Sequence, residues 1–160
     1  MMTDPFLSFT SQARVWIYQS DRLLRAEEIT EAEHQLNAFC SSWDSHGQPV
    51  KASAKVLDQL FVVLMAELPE QEISGCAIDR SVHILQDIGR KFSIDFFNRL
   101  KLAVLKDTDW VLLDPPYEGL RTDMYFHNNT LNRKADWDKR VLPVAGHWPE
   151  KFISLNTSIL

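Results

Sequence analysis

Val15 and Ile17 alternate with Trp16 and Tyr18 over residues 14–19, which predicts a strand carrying apolar or aromatic side chains on both faces. After Ser20-Asp21-Arg22, apolar positions recur at Ile29, Ala32, Leu36, Phe39, Cys40 and Trp43, close to one helical turn apart. This predicts a helix over 26–43, with Glu27, Glu28 and Glu31 lying where the positive end of the helix dipole favours acids. Asp44-Ser45-His46-Gly47-Gln48-Pro49 stops it, because Gly accepts φ > 0 and Pro cannot continue a helix. Ala52, Ala54 and Val56 then alternate with Lys51, Ser53 and Lys55, the pattern of a strand over 50–57 with one wet face, as at a sheet edge. The unbroken apolar run from Leu60 to Ala66 predicts a central strand buried on both faces.

A second helix is expected over 79–92 from Val82, Leu85, Ile88 and Phe92, with Asp79 or Ser81 as its N-cap; a short oxygen-bearing side chain there accepts otherwise orphaned amides. Strands are expected at 100–105 and 110–113, joined by Lys106-Asp107-Thr108-Asp109. The order βαββαβ plus one strand points to an α+β, ferredoxin-like fold. Its four-stranded antiparallel sheet would carry two helices on one face, with the first and third strands central.

Residues 1–13 read as a loose leader whose Phe6, Leu7 and Phe9 can tuck against the body, 14–114 as the core, and 115–160 as a C-terminal extension of the same domain. Within the extension 122–129 has no clear period, and Thr130 to Asp138 is expected as a short helix capped by Thr130. Trp110, Trp137, Trp148, Tyr117, Tyr125, Phe126 and Phe152 are too many large rings to leave in water, so the extension is expected to cover the open face of the sheet. Asn128-Asn129 and His147-Trp148 would form a second polar cluster, bonded to buried backbone in preference to lining a groove.

With 160 residues, 45% of them hydrophobic and 24% charged, the chain suits one folded domain. A formal charge of -5 offers no footprint for a phosphate backbone or an anionic membrane, and no glycine-aromatic RNA-binding pattern is present. Neither nucleic acid nor membrane is expected as a partner. Without an 18-residue apolar span or a basic segment leading into an apolar one, the chain is expected in the cytoplasm. No GxxxxGK[ST] or GxGxxG occurs, which excludes P-loop ATPase chemistry. Cys40, Cys76, His34, His46, His83, His127 and His147 show no CxxC, HxH or HExxH spacing, so no metal or other cofactor is expected. The acid pairs Asp107/Asp109 and Asp136/Asp138 read as turn and helix-surface residues.

In the expected topology, the loop after the first helix and the loop before the second share one end of the sheet. Asp44-Ser45-His46-Gly47 would lie beside Ser74-Gly75-Cys76-Ala77-Ile78-Asp79, with Arg14 at the start of the first strand nearby. Arg14, His46, Gly47, Gly75, Cys76, Asp79 and Ser81 would then line a pocket for a small anionic ligand or a partner's acidic group, with helix-terminal amides as donors. The expected function is a small binding or regulatory domain without strong catalysis. One alternative is a cysteine-dependent enzyme with Cys76 as nucleophile, His46 as base and Asp79 within reach. Another is a homo-oligomeric interaction protein that pairs through an exposed strand edge such as 50–57.

The stretches Arg14 to Arg22, Trp43 to Ser53 and Ser74 to Gln86, with Asn128, Asn129, Trp137, Pro143, His147 and Trp148, resemble an uncharacterised family of short bacterial proteins over most of residues 14–150. Members often carry the automatic label "ABC transporter ATPase", which the absence of a P-loop contradicts here. The resemblance implies no activity and no catalytic residues. Its matching stretches include both loops of the expected pocket.

Overall fold

A computed structural model describes residues 4–157, with side chains as far as Ile153; residues 1–3 of the leader and 158–160 of the extension lie outside the described part. The chain forms β1 (Arg14–Gln19), α1 (Ala26–Ser42), β2 (Asp44–Ser45), β3 (Gln48–Pro49), β4 (Lys51–Leu57), β5 (Phe61–Glu67) and α2 (Gly75–Phe92). It continues through β6 (Leu102–Lys106), β7 (Asp109–Leu113), β8 (Tyr125–His127), a 3-10 helix (Lys134–Lys139), β9 (Val141–Pro143) and α3 (Glu150–Thr157). The architecture is mixed α+β with antiparallel sheets.

The apolar run at 61–66 lies in the middle of a three-stranded sheet of order β1-β5-β4, and every residue from Phe61 to Ala66 is buried. Both neighbours are antiparallel, with Trp16 opposite Leu64 and Ala54 also opposite Leu64. One face of the sheet packs on the helices: Leu36 and Cys40 of α1 with its C-cap Trp43, and Ala77, Leu85 and Ile88 of α2, meet Ala54, Val62 and Leu64. Period-two alternation sends Val15, Ile17, Phe61, Val63 and Met65 to the other face, where Phe6, Phe9, Ala103 and Leu131 cover them with Trp110 and Trp137 half-buried alongside. The leader is therefore packed rather than loose over 4–13, with Phe6 and Phe9 buried and Leu7 exposed.

The expected fourth strand does not join this sheet. β6 pairs instead with β7 and β8 in a second sheet of order β7-β6-β8-β9. There Leu102 and Val104 bury against Tyr117, Leu120, Phe126 and Val144 in a separate core. Only Ala103 faces the first sheet's core, so pairing beside β1 would leave the larger apolar side chains of β6 without this layer. The extension accordingly splits its rings: Trp137 reaches the first sheet, whereas Tyr117, Phe126 and Phe152 pack on the second.

Several boundaries also differ from expectation. α2 starts at Gly75 rather than residue 79, with Ser74 as N-cap accepting from the Ala77 amide at 3.2 Å; neither Asp79 nor Ser81 caps it. The serine cap outweighs the missing apolar periodicity in the first turn. The stop at 44–49 closes as the β2-β3 hairpin, through left-handed His46 (φ 51°) and Gly47 (φ 79°). The helix expected at 130–138 is a 3-10 helix starting at Lys134, and Thr130 instead donates its hydroxyl to Asn128 Oδ1 at 2.6 Å.

The end of α2 is set by contact rather than by propensity. A Cβ on Gly89 would stand 2.6 Å from the carbonyl oxygen of Ile94, while the Ile94 amide already bonds the Gly89 carbonyl at 2.8 Å. Gly89→Ala therefore gains helix propensity but forces apart two hydrogen-bonded backbone segments, and a net loss of about 2 kcal/mol is expected. Urea unfolding should show a lower midpoint at unchanged slope.

Candidate functional site

The structure brings the two expected loops together. The Ser45 hydroxyl accepts from the Ser74 amide at 2.9 Å, the Trp43 indole N–H donates to the Ala77 carbonyl at 2.9 Å, and Arg80 donates to Asp44 Oδ1 at 3.0 Å as well as to the Asp44 carbonyl. The Arg80 guanidinium holds the Asp44 carboxyl below its usual range, helped by the Gly47 amide. Each of these polar groups is matched by another from the protein, so the junction works as a latch.

The residues expected to line a pocket there point elsewhere or to solvent. His46, Gly47, Gly75, Cys76 and Asp79 are exposed, and Ser81 is buried with its hydroxyl donating to the Ile78 carbonyl at 2.6 Å. A Cβ at Gly75 meets nothing within 4 Å, so glycine is not needed there for close approach. Arg14 is half-buried, lies over the Trp16 ring at 4.9 Å, and pairs with Glu72 at 3.7 Å. It lines two cavities, and none of the other six residues lines either.

The two thiols differ sharply in access. Cys40 is buried and its pKa is pushed up to about 12 by desolvation, whereas Cys76 stands exposed in the first turn of α2 with no hydrogen bond to His46, His83 or Asp79 among the described residues. Among the described residues, then, no base is hydrogen-bonded to Cys76. Iodoacetamide on the folded protein at pH 8 should add one carbamidomethyl group, at Cys76, and a second only after denaturation. Peptide mass spectrometry reads both; labelling of Cys40 in the native state would contradict the packing of α1.

The cavity at Arg14 is a groove of about 420 Å³ along the free edge of β1, between that strand and the second sheet. Val15, Ile17 and Gln19 form one side; Arg99, Lys101, Phe126, Asn128, Asn129 and Trp148 contribute to the other. Two bonds close its ends, from the Val15 amide to the Asn132 carbonyl at 3.0 Å and from Gln19 Nε2 to the Lys101 carbonyl at 3.0 Å. Three cations, Arg14, Arg99 and Lys101, line it, and no Asp or Glu does. Lys101 pairs with Asp114 at 2.9 Å, while Arg99 has no ion pair among the described residues. Trp16, Tyr18, Phe96, Phe97 and Trp148 supply aromatic surface.

A chain of amides fixes the polar wall. The Lys101 carbonyl can only accept, so Gln19 Nε2 donates to it. Gln19 Oε1 then accepts from Asn129 Nδ2 at 3.0 Å, and Asn129 Oδ1 accepts from His127 Nδ1 at 2.7 Å. The proton of His127 is thereby placed on Nδ1, leaving Nε2 as a lone pair without a partner among the described residues. Burial against Phe61 (ring centroids 3.7 Å apart) pulls the imidazole pKa down to about 4, with the nearby Arg140 charge acting in the same direction.

A larger cavity of about 600 Å³ lies beside Arg14 on the other side, against Lys51, Glu67, Glu72 and Arg133. There each cation meets a carboxylate: Arg133 pairs with Glu72 at 3.1 Å and Lys51 with Glu67 at 3.5 Å. Its charge is internally balanced, which singles out the smaller groove as the place with unmatched positive charge. Among the described residues no group of three or more His, Cys, Asp or Glu could hold a metal ion, and no helix is long and apolar enough to cross a membrane.

No family model, curated protein or solved structure matches this chain. The geometry therefore carries the functional reading alone. The sequence placed Arg14 in a different pocket, beside residues 44–47 and 74–79; of the expected polar cluster Asn128-Asn129 and His147-Trp148, for which lining a groove was the less favoured role, Asn128, Asn129 and Trp148 line this groove, whereas His147 Nδ1 lies 2.7 Å from the Pro143 carbonyl. Arg99, Lys101 and Gln19 had no signal beyond their residue type, because the groove is assembled from segments more than 80 residues apart.

Proposed function

We propose that this protein is a small binding domain, without catalysis of its own, that takes an aromatic or otherwise flat anion in the groove along β1. One observation carries the reading: a chain of net charge -5 gathers three cations and no carboxylate around a cleft walled by aromatic rings. Local positive potential of this kind raises the occupancy of anions even on an acidic protein, and low-dielectric aromatic walls strengthen it. The volume falls within the range of small-molecule sites. We further read β1-α1-β4-β5-α2 as a ferredoxin-like unit whose fourth strand position is vacant, the groove standing in its place. For the cysteine-enzyme alternative no base is hydrogen-bonded to Cys76 among the described residues, and the small anionic ligand expected from the sequence is retained at a new location.

Titration with 3-phenylpropionate, followed by tryptophan fluorescence from Trp16 and Trp148, tests this. Millimolar or tighter binding is expected, with the neutral 3-phenylpropanol about tenfold weaker. Arg99→Gln should abolish that preference. Equal affinity for acid and alcohol, or a preference untouched by Arg99→Gln, would refute the assignment.

A further inference from the structure

The register of β1 decides which backbone groups face the groove. The Ser20 amide bonds the Leu60 carbonyl at 2.8 Å, and the Val15 amide turns the opposite way to Asn132. Alternation along the strand then directs Trp16 and Tyr18 to their hydrogen-bonded partners Leu64 and Val62 on β5, and turns Val15, Ile17 and Gln19 outward. The Val15 amide is occupied. The Ile17 amide and carbonyl have no hydrogen-bond partner among the described residues, although Ile17 is only 8% exposed and lines the groove. Buried backbone groups are nearly always paired, so an extended donor-acceptor pair left open on a cationic cleft is a specific vacancy.

We propose that the groove recognises an N-acylated amino acid or the carboxyl-terminal residue of a short peptide. The inference rests on the anion-binding reading above and narrows it. The ligand's amide N–H would donate to the Ile17 carbonyl, as in one rung of an antiparallel ladder. One carboxylate oxygen would accept from the Ile17 amide, leaving the other for the unpaired Arg99 guanidinium. Charge complementarity selects a free carboxylate over a mid-chain peptide unit. At one end the Val15 amide is taken by the Asn132 carbonyl, and at the other the Gln19 side chain bonds the Lys101 carbonyl across the groove, which would centre the ligand on the rung at Ile17. Trp16, Tyr18, Phe97 and Trp148 favour an aromatic or large apolar side chain on that residue.

Binding of N-acetylphenylalanine, 3-phenylpropionate and N-acetyl-N-methylphenylalanine to the intact protein separates the possibilities. N-acetylphenylalanine is expected to bind about tenfold tighter than 3-phenylpropionate, from the added hydrogen bond of its amide N–H to the Ile17 carbonyl, and N-methylation should remove the gain. In amide-resolved NMR the Ile17 proton should shift downfield and exchange more slowly with N-acetylphenylalanine bound. Equal affinity of all three acids would overturn the strand-edge recognition while leaving anion binding intact. Failure of every acid to bind would overturn both readings.

Discussion

Phe61→Ala is expected to remove about 4 kcal/mol of stability. Phe61 is wholly buried at the start of the central strand, with Leu57 and Gln19 opposite it on β4 and β1. Its ring also joins the two sheets, stacked on His127 of β8 and edge-on to Trp110 of β7 at 5.5 Å. Truncation leaves a cavity whose walls belong to two separately hydrogen-bonded sheets, so neither can collapse into it without breaking its own ladder. Chemical denaturation should show the loss, and the near-ultraviolet dichroism of Trp110 should weaken in the folded variant. A change below about 1.5 kcal/mol would mean that the second sheet is not anchored through this ring.

Glu28→Ala should cost about 3 kcal/mol at neutral pH. The Glu28 carboxylate is buried in the first turn of α1, where it accepts from Arg22 at 2.8 Å on each oxygen and from the Arg25 amide at 2.9 Å. Arg22 also donates to the Phe92 carbonyl at 2.8 Å, so this one carboxylate ties the start of α1 to the end of α2. Breaking a buried pair costs about 3 to 5 kcal/mol. The lower end applies here, because the Arg22 and Arg25 side chains are 39% and 67% exposed and water can take up their charge.

The same contacts shape the acid limb. The hydrogen bonds from Arg22 hold the Glu28 pKa down to about 2. Its contribution is complete above the ordinary carboxylate range and is lost as pH falls toward 2. His127 acts at higher pH. Its folded pKa of about 4 lies below that of the unfolded chain, so the unfolded state binds the proton first and stability declines as pH drops from about 6.5 toward 4. Stability measured against pH should therefore fall in two stages, and Glu28→Ala should shrink the second, to which Asp44 also contributes, while leaving the first.

The elements that the sequence made legible are those whose burial follows a simple period. The strand at 14–19, the helix at 26–43, the alternation at 51–56 and the apolar run at 60–66 all appear within a residue or two of their observed bounds. Each buries one face or both against a neighbour close in the chain. The position of β6 was not legible, because Leu102, Ala103 and Val104 suit any sheet and the choice depends on Tyr117, Phe126 and Val144 arriving later. The site divided in the same way. The meeting of residues 44–47 with 74–79 was expected from the sequence, yet the chemistry there is consumed by internal bonds such as Ser45 to Ser74. The unmatched cation and the open backbone lie at Arg99 and Ile17, which no periodicity marks.

Asn37 of α1 gives this edge-exposed architecture a further property. Its amide donates to the Ala54 carbonyl at 2.9 Å and its oxygen accepts from the Ala54 amide at 3.0 Å, while Glu33 accepts from the Val56 amide at 3.2 Å. A single carboxamide thus imitates the missing neighbour of β4 and blunts the outer border of the sheet, where pairing between copies had been an expectation. Molecules meeting along that border find the Ala54 groups and the Val56 amide already bonded, so strand pairing there would first have to displace two side chains of α1.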